Sequence, residues 1–379
     1  MEKYASTYHT DSEYMKIKTS SREISFKQSD KYWQSACPDR DLFTYLLFLI
    51  LPASLCGCIS PENHMPQAGS PERSATTIAP ERIPTRLYIS DDNISSLDVF
   101  IFGKDRLERL DSYQKFDDCR DCDGIYGISS CTGEKIAVLL ANNESDRYEW
   151  IDINCRKSLY QRSFDLESES PSHPIMTGEY TFEAGHPIHP ELTPLSAEII
   201  LRSIRTDFSE EAYAGEYLED VKVYLTNVNA SCGILSDGEV APSRIINCGR
   251  LNEDDIMKFN CPDIIFQTLE DKVGNERIFP EIRLRTYPCS FRFESIGTPY
   301  TKLVIEGRLK GNTCYYPIVI NRSTDSDDAG VRRNRRYIYD LTITRAGLAD
   351  PDGVIEPLYA EIELEVEKWK EKEWYDVRF

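Results

Sequence analysis

LSAEIILRSI at residues 195–204 and LEDVKVYLTNV at residues 218–228 decide how the chain is read. Both runs are short and rich in β-branched side chains. In the second, Val221, Val223 and Leu225 fall on every other position, the period of a half-buried strand and not of a helix. Working toward the start, strand-like runs recur at 176–182, 135–141, 107–113 and 96–103, the run at 135–141 closed by Asn142-Asn143, which is turn chemistry. Working toward the end, they recur at 281–286, 290–294, 302–309, 314–321, 336–345 and 359–367. Only Arg147 to Leu166, with Trp150, Ile153, Leu159 and Phe164 loosely spaced, is a candidate helix. A polar stretch without sustained period follows residue 230. Many short strands with turn punctuation and this switch point to an all-β chain of two tandem antiparallel β-sandwich domains, at 95–230 and 231–379.

The beginning of the chain has a different character. Leu42 to Cys58 (LFTYLLFLILPASLCGC) is apolar and uncharged, short for a bilayer-spanning helix and long enough for the core of an export signal. Its ending resembles a bacterial lipobox. Leu55, Cys56 and Gly57 are the residues a signal peptidase would recognise, and Cys58 the thiol that would receive lipid. A membrane helix or a buried strand is the competing reading. The polar residues before the run are unusually many for such a signal, and residues 1–57 are set aside as leader. Residues 58–94 then read as a lipidated tether, rich in Pro, Ser and charge, in which Arg73, Arg82 and Arg86 are candidate sites of proteolytic maturation.

Composition narrows the function. The formal charge of -20 and pI near 4.8 argue against nucleic-acid binding, which needs a basic excess. Nine cysteines lie beyond Cys58, an odd number, so at least one thiol has no partner within the chain. Cys119-x-x-Cys122 with Cys131 lacks the second pair or nearby His of a convincing zinc site, and a disulfide or free thiols are the plainer reading. His186-Pro-Ile-His189 reads as a loop, because Pro187 and Pro190 prevent a helical ligand face. No nucleophile motif, paired acid and base or phosphate loop stands out, so no enzyme and no cofactor or metal is expected.

Several segments taken together resemble the fimbrillin superfamily that builds the type V fimbriae of Bacteroidales. They are Leu97-Asp-Val-Phe-Ile-Phe102, Ala137-Val-Leu-Leu-Ala-Asn-Asn143, the two runs quoted first, Lys302-Leu-Val-Ile-Glu-Gly307, and Arg333-Asn-Arg-Arg-Tyr337 followed by Leu341-Thr-Ile-Thr344 and Asp350-Pro-Asp352. The resemblance implies transthyretin-like sandwiches, export as a surface-exposed outer-membrane lipoprotein, and assembly with other fimbrial subunits by β-strand donation. It also implies cleavage after an Arg in some subunits and retention of the lipid in others. The expectation is an anchor or other minor fimbrial subunit; a stalk subunit, a tip adhesin and a glycan-binding lipoprotein are the alternatives. Tyr375, Val377 and Phe379 lie on one face of a run with donor alternation, although an edge strand folded on its own domain fits the same pattern.

Overall fold

The computed structural model describes residues 14–18, 23–27, 81–89, 93–117, 119, 124–143, 150–208, 212–235, 240–291, 293–322, 329–355, 360–369 and 375–377, with the backbone alone for 14–18, 23–27 and 375–377. The chain divides into two compact units, 1–79 and 80–379. In the first, β1 (Tyr14–Lys18) and β2 (Glu23–Lys27) form an antiparallel hairpin.

The second unit opens with β3 (Ile83–Tyr88), β4 (Leu97–Gly103), β5 (Leu110–Phe116), β6 (Ile125–Ser130), β7 (Glu134–Ala141), β8 (Ser163–Asp165), β9 (Met176–Glu183) and β10 (Thr193–Pro194). A five-stranded sheet of order β10-β9-β7-β4-β5 faces the β3-β6 pair. The two central strands are apolar on both faces, which is why they read as unbroken runs and not as alternation. One face of β4 and β7, with Val99, Ile101, Ala137 and Leu139, packs in a single core with Leu87, Tyr126 and Ile128 of the β3-β6 pair. On the other face Phe100 meets Tyr113 at 4.9 Å and the edge of Trp150 at 5.3 Å between ring centres. Asn142 ends β7 in the left-handed region, with φ of 62°. Its carboxamide accepts from the Ser95 N–H at 2.8 Å and donates to the Asn93 and Pro174 carbonyls at 3.0 and 2.9 Å, fastening three loops at once.

The remaining strands are β11 (Ala197–Thr206), β12 (Glu219–Thr226), β13 (Val228–Asn229), β14 (Ser231–Gly233), β15 (Ile245–Ile246), β16 (Phe266–Thr268), β17 (Ile282–Thr286), β18 (Lys302–Leu309), β19 (Asn312–Val319), β20 (Arg335–Ile343), β21 (Ala360–Lys368) and β22 (Tyr375–Val377). They build a sheet of order β17-β11-β20-β21-β22 and another of order β16-β12-β18-β19, with short pairs β13-β15 and β14-β8. Two features depart from the sequence reading. β11 and β12, placed before the divide at 230, pair with strands from beyond it. And β11 runs parallel to β20, because the chain crosses to the other sheet and back before β20 begins. Alternation says which face of a strand is apolar; it does not say which strand lies beside it. The parallel pair slips register between Leu201 and Ser203, and the skipped Arg202 turns its guanidinium onto Asp340 and Glu365. The candidate helix over 147–166 contracts to α1 (Arg156–Tyr160). Helix returns for one turn in α2 (Glu253–Ile256), where the Asn252 side chain caps the Asp254 N–H.

The segment between β8 and β9 carries a fully buried carboxylate. Glu169 lies 4.0 Å from the Arg285 guanidinium and accepts from the Ser196 hydroxyl at 3.2 Å. Burial outweighs the attraction of Arg285 and pushes the Glu169 pKa up from 4.5 to about 7. The folded chain therefore holds a proton here that the unfolded chain gives up, so this group's contribution to stability is complete below about pH 4.5 and is lost as pH rises to about 7. Glu169→Gln should flatten that part of the stability profile. Denaturant unfolding across the range checks it, and an unchanged slope would refute the assignment.

Candidate assembly interface

β3 is the strand on which the assembly question turns. In IPTRLY, Thr85 and Leu87 point inward while Pro84 and Arg86 point outward. Leu87 is wholly buried and Ile89 nearly so. One edge of β3 pairs antiparallel with β6 along its whole length, from Ile83 opposite Ser130 to Tyr88 opposite Ile125. The other edge meets the 185–189 segment. Tyr88 N–H donates to the Ile188 carbonyl at 2.9 Å, Ile188 N–H to the Arg86 carbonyl at 3.0 Å, and Gly185 N–H to the Thr85 hydroxyl at 2.8 Å. The Tyr88 and His189 rings stack at 4.8 Å. The histidine pair read as a loop is thus the second wall of a slot that β3 fills.

β6 is served on its far side by side chains. Ser112 donates to the Ser129 carbonyl at 2.7 Å, and Gln114 accepts from the Ser129 N–H at 3.0 Å. The start of β3 is tied in turn by Arg82, which donates to the main-chain carbonyls of Asp111 at 3.0 Å and Ser129 at 3.3 Å. Asp111 also binds Lys135 at 3.0 Å and the Cys131 N–H at 2.9 Å. Partial burial works to raise the Asp111 pKa, but the bonds from Cys131 and Lys135 win and hold the carboxyl below its ordinary value.

Two of the three candidate cleavage residues therefore lie on folded structure and not in a tether. Pro, Glu and Arg around residues 80–86 hide a strand whose apolar positions, Ile83, Leu87 and Ile89, nevertheless keep the two-residue period. Arg86 exposes its side chain, yet its carbonyl is bonded to Ile188 and the residue pairs with Gly127. Arg73 lies outside the described residues, as do Cys58, its neighbours Leu55, Cys56 and Gly57, and Phe379. Tyr375 and Val377 lie in β22, at the edge of a five-stranded sheet, with Tyr375 across from Val366 and Val377 across from Leu364. The segment with donor alternation thus rests on its own sheet, opposite three residues of the longer β21.

No disulfide joins any two of the eight described cysteines, four of which are buried, and Cys122 lies outside the described residues. Burial pushes the Cys289 thiol up to about 11. Among the described residues no group of three or more His, Cys, Asp or Glu is placed to hold a metal ion.

No protein-family profile matches the chain, and no curated protein does. Solved structures share its fold. A candidate cell adhesion protein from Bacteroides eggerthii superposes with a TM-score of 0.60 at 13% identity, over 77% of this chain and 97% of that one. Another from Parabacteroides distasonis gives 0.55 at 18% identity over 76% and 97%. A fimbrilin from Porphyromonas gingivalis gives 0.53 at 16% identity, again over 76% and 97%. The fold of this chain is the fimbrilin-like, nearly all-β sandwich fold.

If β3 is held as described, the bonds at Arg86 should resist an arginine-specific protease until the strand leaves its slot. Burying a leucine is worth about 1.5 to 3 kcal/mol, so Leu87→Asp should speed cleavage after Arg82 and Arg86 by about tenfold or more. A digestion time course read by mass spectrometry checks it. Equal rates in the two proteins would mean that β3 is not held by that pocket.

Proposed function

We propose that this chain is a subunit of a cell-surface fimbria, retained at the outer membrane by lipid on Cys58, and that it joins neighbouring subunits by β-strand exchange. The observation that carries the reading is β3, a terminal strand of its unit that fills a two-walled slot directly after an arginine. Take residues 83–88 away and β6 loses its main-chain partners, the 186–188 segment loses two, and the space of Leu87 lies open. Those groups cannot stay unpaired and buried. An extended segment with an apolar residue at every second position would restore both the bonds and the packing. The 375–379 segment of a second subunit has that pattern. The shared fold with a fimbrilin supports the reading independently of the slot.

The anchor role is part of this proposal and rests on the same slot. A subunit that keeps its lipid through Cys58 keeps its leader-proximal strand and ends a fibre; one cut near Arg82 or Arg86 opens the slot and continues it. Arg73, in the stretch between Cys58 and β3, is the third place at which the two fates would part.

The test is incorporation in cells. Val377→Asp should leave the monomer folded and exclude it from fibres seen by electron microscopy and in sheared-fibre fractions. Assembly of the variant at wild-type levels would eliminate this segment as donor. Cys58→Ala should move the chain out of the membrane fraction, and its persistence there after a salt wash would remove the lipid anchor from the proposal.

A further inference from the structure

Arg333-Asn334-Arg335-Arg336-Tyr337 stands out in the sequence and takes no part in strand exchange. Its surroundings give it another task. Arg333, immediately before β20, reaches out of the second set of sheets to the first. Its Nη2 donates to the Thr193 hydroxyl at 2.7 Å, the Thr193 carbonyl at 2.9 Å and the Thr177 hydroxyl at 2.9 Å, and its Nε donates to the Pro194 carbonyl at 3.3 Å. These acceptors belong to β9 and β10. The Thr177 hydroxyl donates onward to the Ile234 carbonyl at 2.8 Å, a second tie across the same boundary.

Asn334 continues the connection. It sits in the left-handed region with φ of 56°, donates its N–H to the Ser196 carbonyl at 3.2 Å and accepts from the Trp369 N–H at 3.0 Å. Trp369 is the residue from which the 370–379 segment departs. Its indole ring lies near two guanidiniums, Arg285 at 4.9 Å and Arg336 at 5.6 Å. Both are fixed in their turn: Arg285 donates to the Ser170 carbonyl at 2.9 Å, and Arg336 to Glu198 at 2.8 Å and to Glu367 at 3.5 Å. Contacts run without a gap from the root of the 370–379 segment, through Trp369, Asn334 and Arg333, to Thr177 and Thr193 on the first sheet.

We propose that this cluster is a mechanical joint that carries tension. It pins the root of the 370–379 segment and locks the first sheets to the second, so that the unit from 80 to 379 yields as one body. Without the pin, tension on that segment would open the β20-β21 ladder one bond at a time from its end. With it, the planar guanidinium of Arg333, which offers several donors in fixed directions, shares the load with the Trp369 clamp. Lysine, a single point charge on a flexible stem, cannot reproduce the fork. The use of such a joint in a fibre rests on the fimbrial reading, but the joint belongs to the isolated chain and is tested there.

Scanning calorimetry of the full chain compares the wild type with Arg333→Ala and Arg333→Lys. The wild type should unfold the 80–379 unit in one cooperative transition, and both variants should split it into two, hydrogen exchange locating β3–β10 in one of them. A wild type that already shows two transitions, or an Arg333→Ala protein that keeps one at the wild-type temperature, overturns the proposal. Should Arg333→Ala fail to fold, the milder Thr193→Val is combined with Arg333→Lys. The pair should cost less together than the sum of the two alone, and strict additivity overturns the joint. A last readout separates load from mere stability. In single-molecule pulling from the C-terminal end, β22 peels from β21 first, and Trp369→Leu should then lower the force at which β21 begins to leave β20; an unchanged force at that step overturns the pin. None of these outcomes depends on whether cells make fibres from the chain.

Discussion

Every strand carries two rows of main-chain groups, and each row must find a partner or face water. That requirement organises the unit from 80 to 379. β4 and β7 meet it from both sides with neighbouring strands and can bury nearly all of their residues. β6 meets it with β3 on one side and with the hydroxyl of Ser112 and the carboxamide of Gln114 on the other. β3 meets it with β6 and with an irregular segment that prolines keep extended. The last arrangement is the least repetitive of the three. It is held by a few main-chain bonds, one stacked ring and one buried leucine, and it sits where the unit begins.

How much of this could be read in advance depends on how local the deciding interaction is. Val99 to Phe102 and Ala137 to Ala141 announce themselves because burial on both faces leaves an unbroken apolar run. Asn142 announces itself as a turn residue, though not as the side chain that fastens three loops. β3 escaped because the residues that mark a tether, Pro84 and Arg86, occupy its outward face, and the inward face offers only Thr85 and Leu87. The pairing of strands across residue 230 was hidden for a different reason. β11 and β12 look like any other strands, and what joins them to β20 and β18 is a partner more than a hundred residues away for the first and some eighty for the second. Of the assembly interface, sequence named Arg82 and Arg86 but not the carbonyls that hold the one or the slot that holds the other. Arg333 was legible as a distinctive residue and silent about its partners on β9 and β10.

The polar stretch after residue 230 shows why lack of period need not mean lack of order. Asn227 and Asn229 at its entrance and Asn247 within it add carboxamide bonds to the little strand pairing there: to the Tyr300 carbonyl at 3.1 Å, the Pro288 carbonyl at 2.7 Å and the Leu225 carbonyl at 3.0 Å. A side-chain amide matches the donor and acceptor of the backbone, so it can close a loop where no second strand is at hand. Such a region has few apolar positions to reveal it. Its order is written in asparagines.

The thiols bear on where the chain can mature. Cys119, Cys232, Cys289 and Cys314 are buried singly, and each does the work of a small apolar side chain. Cys289, raised to about 11, stays protonated at neutral pH and is a poor nucleophile there. Among the described residues this core is closed by packing and not by a disulfide. It would be as secure in a strictly reducing, oxygen-free setting as in an aerated one. For the described core this is a form of independence: it is held by packing, and the redox chemistry of the surroundings is given little to act upon.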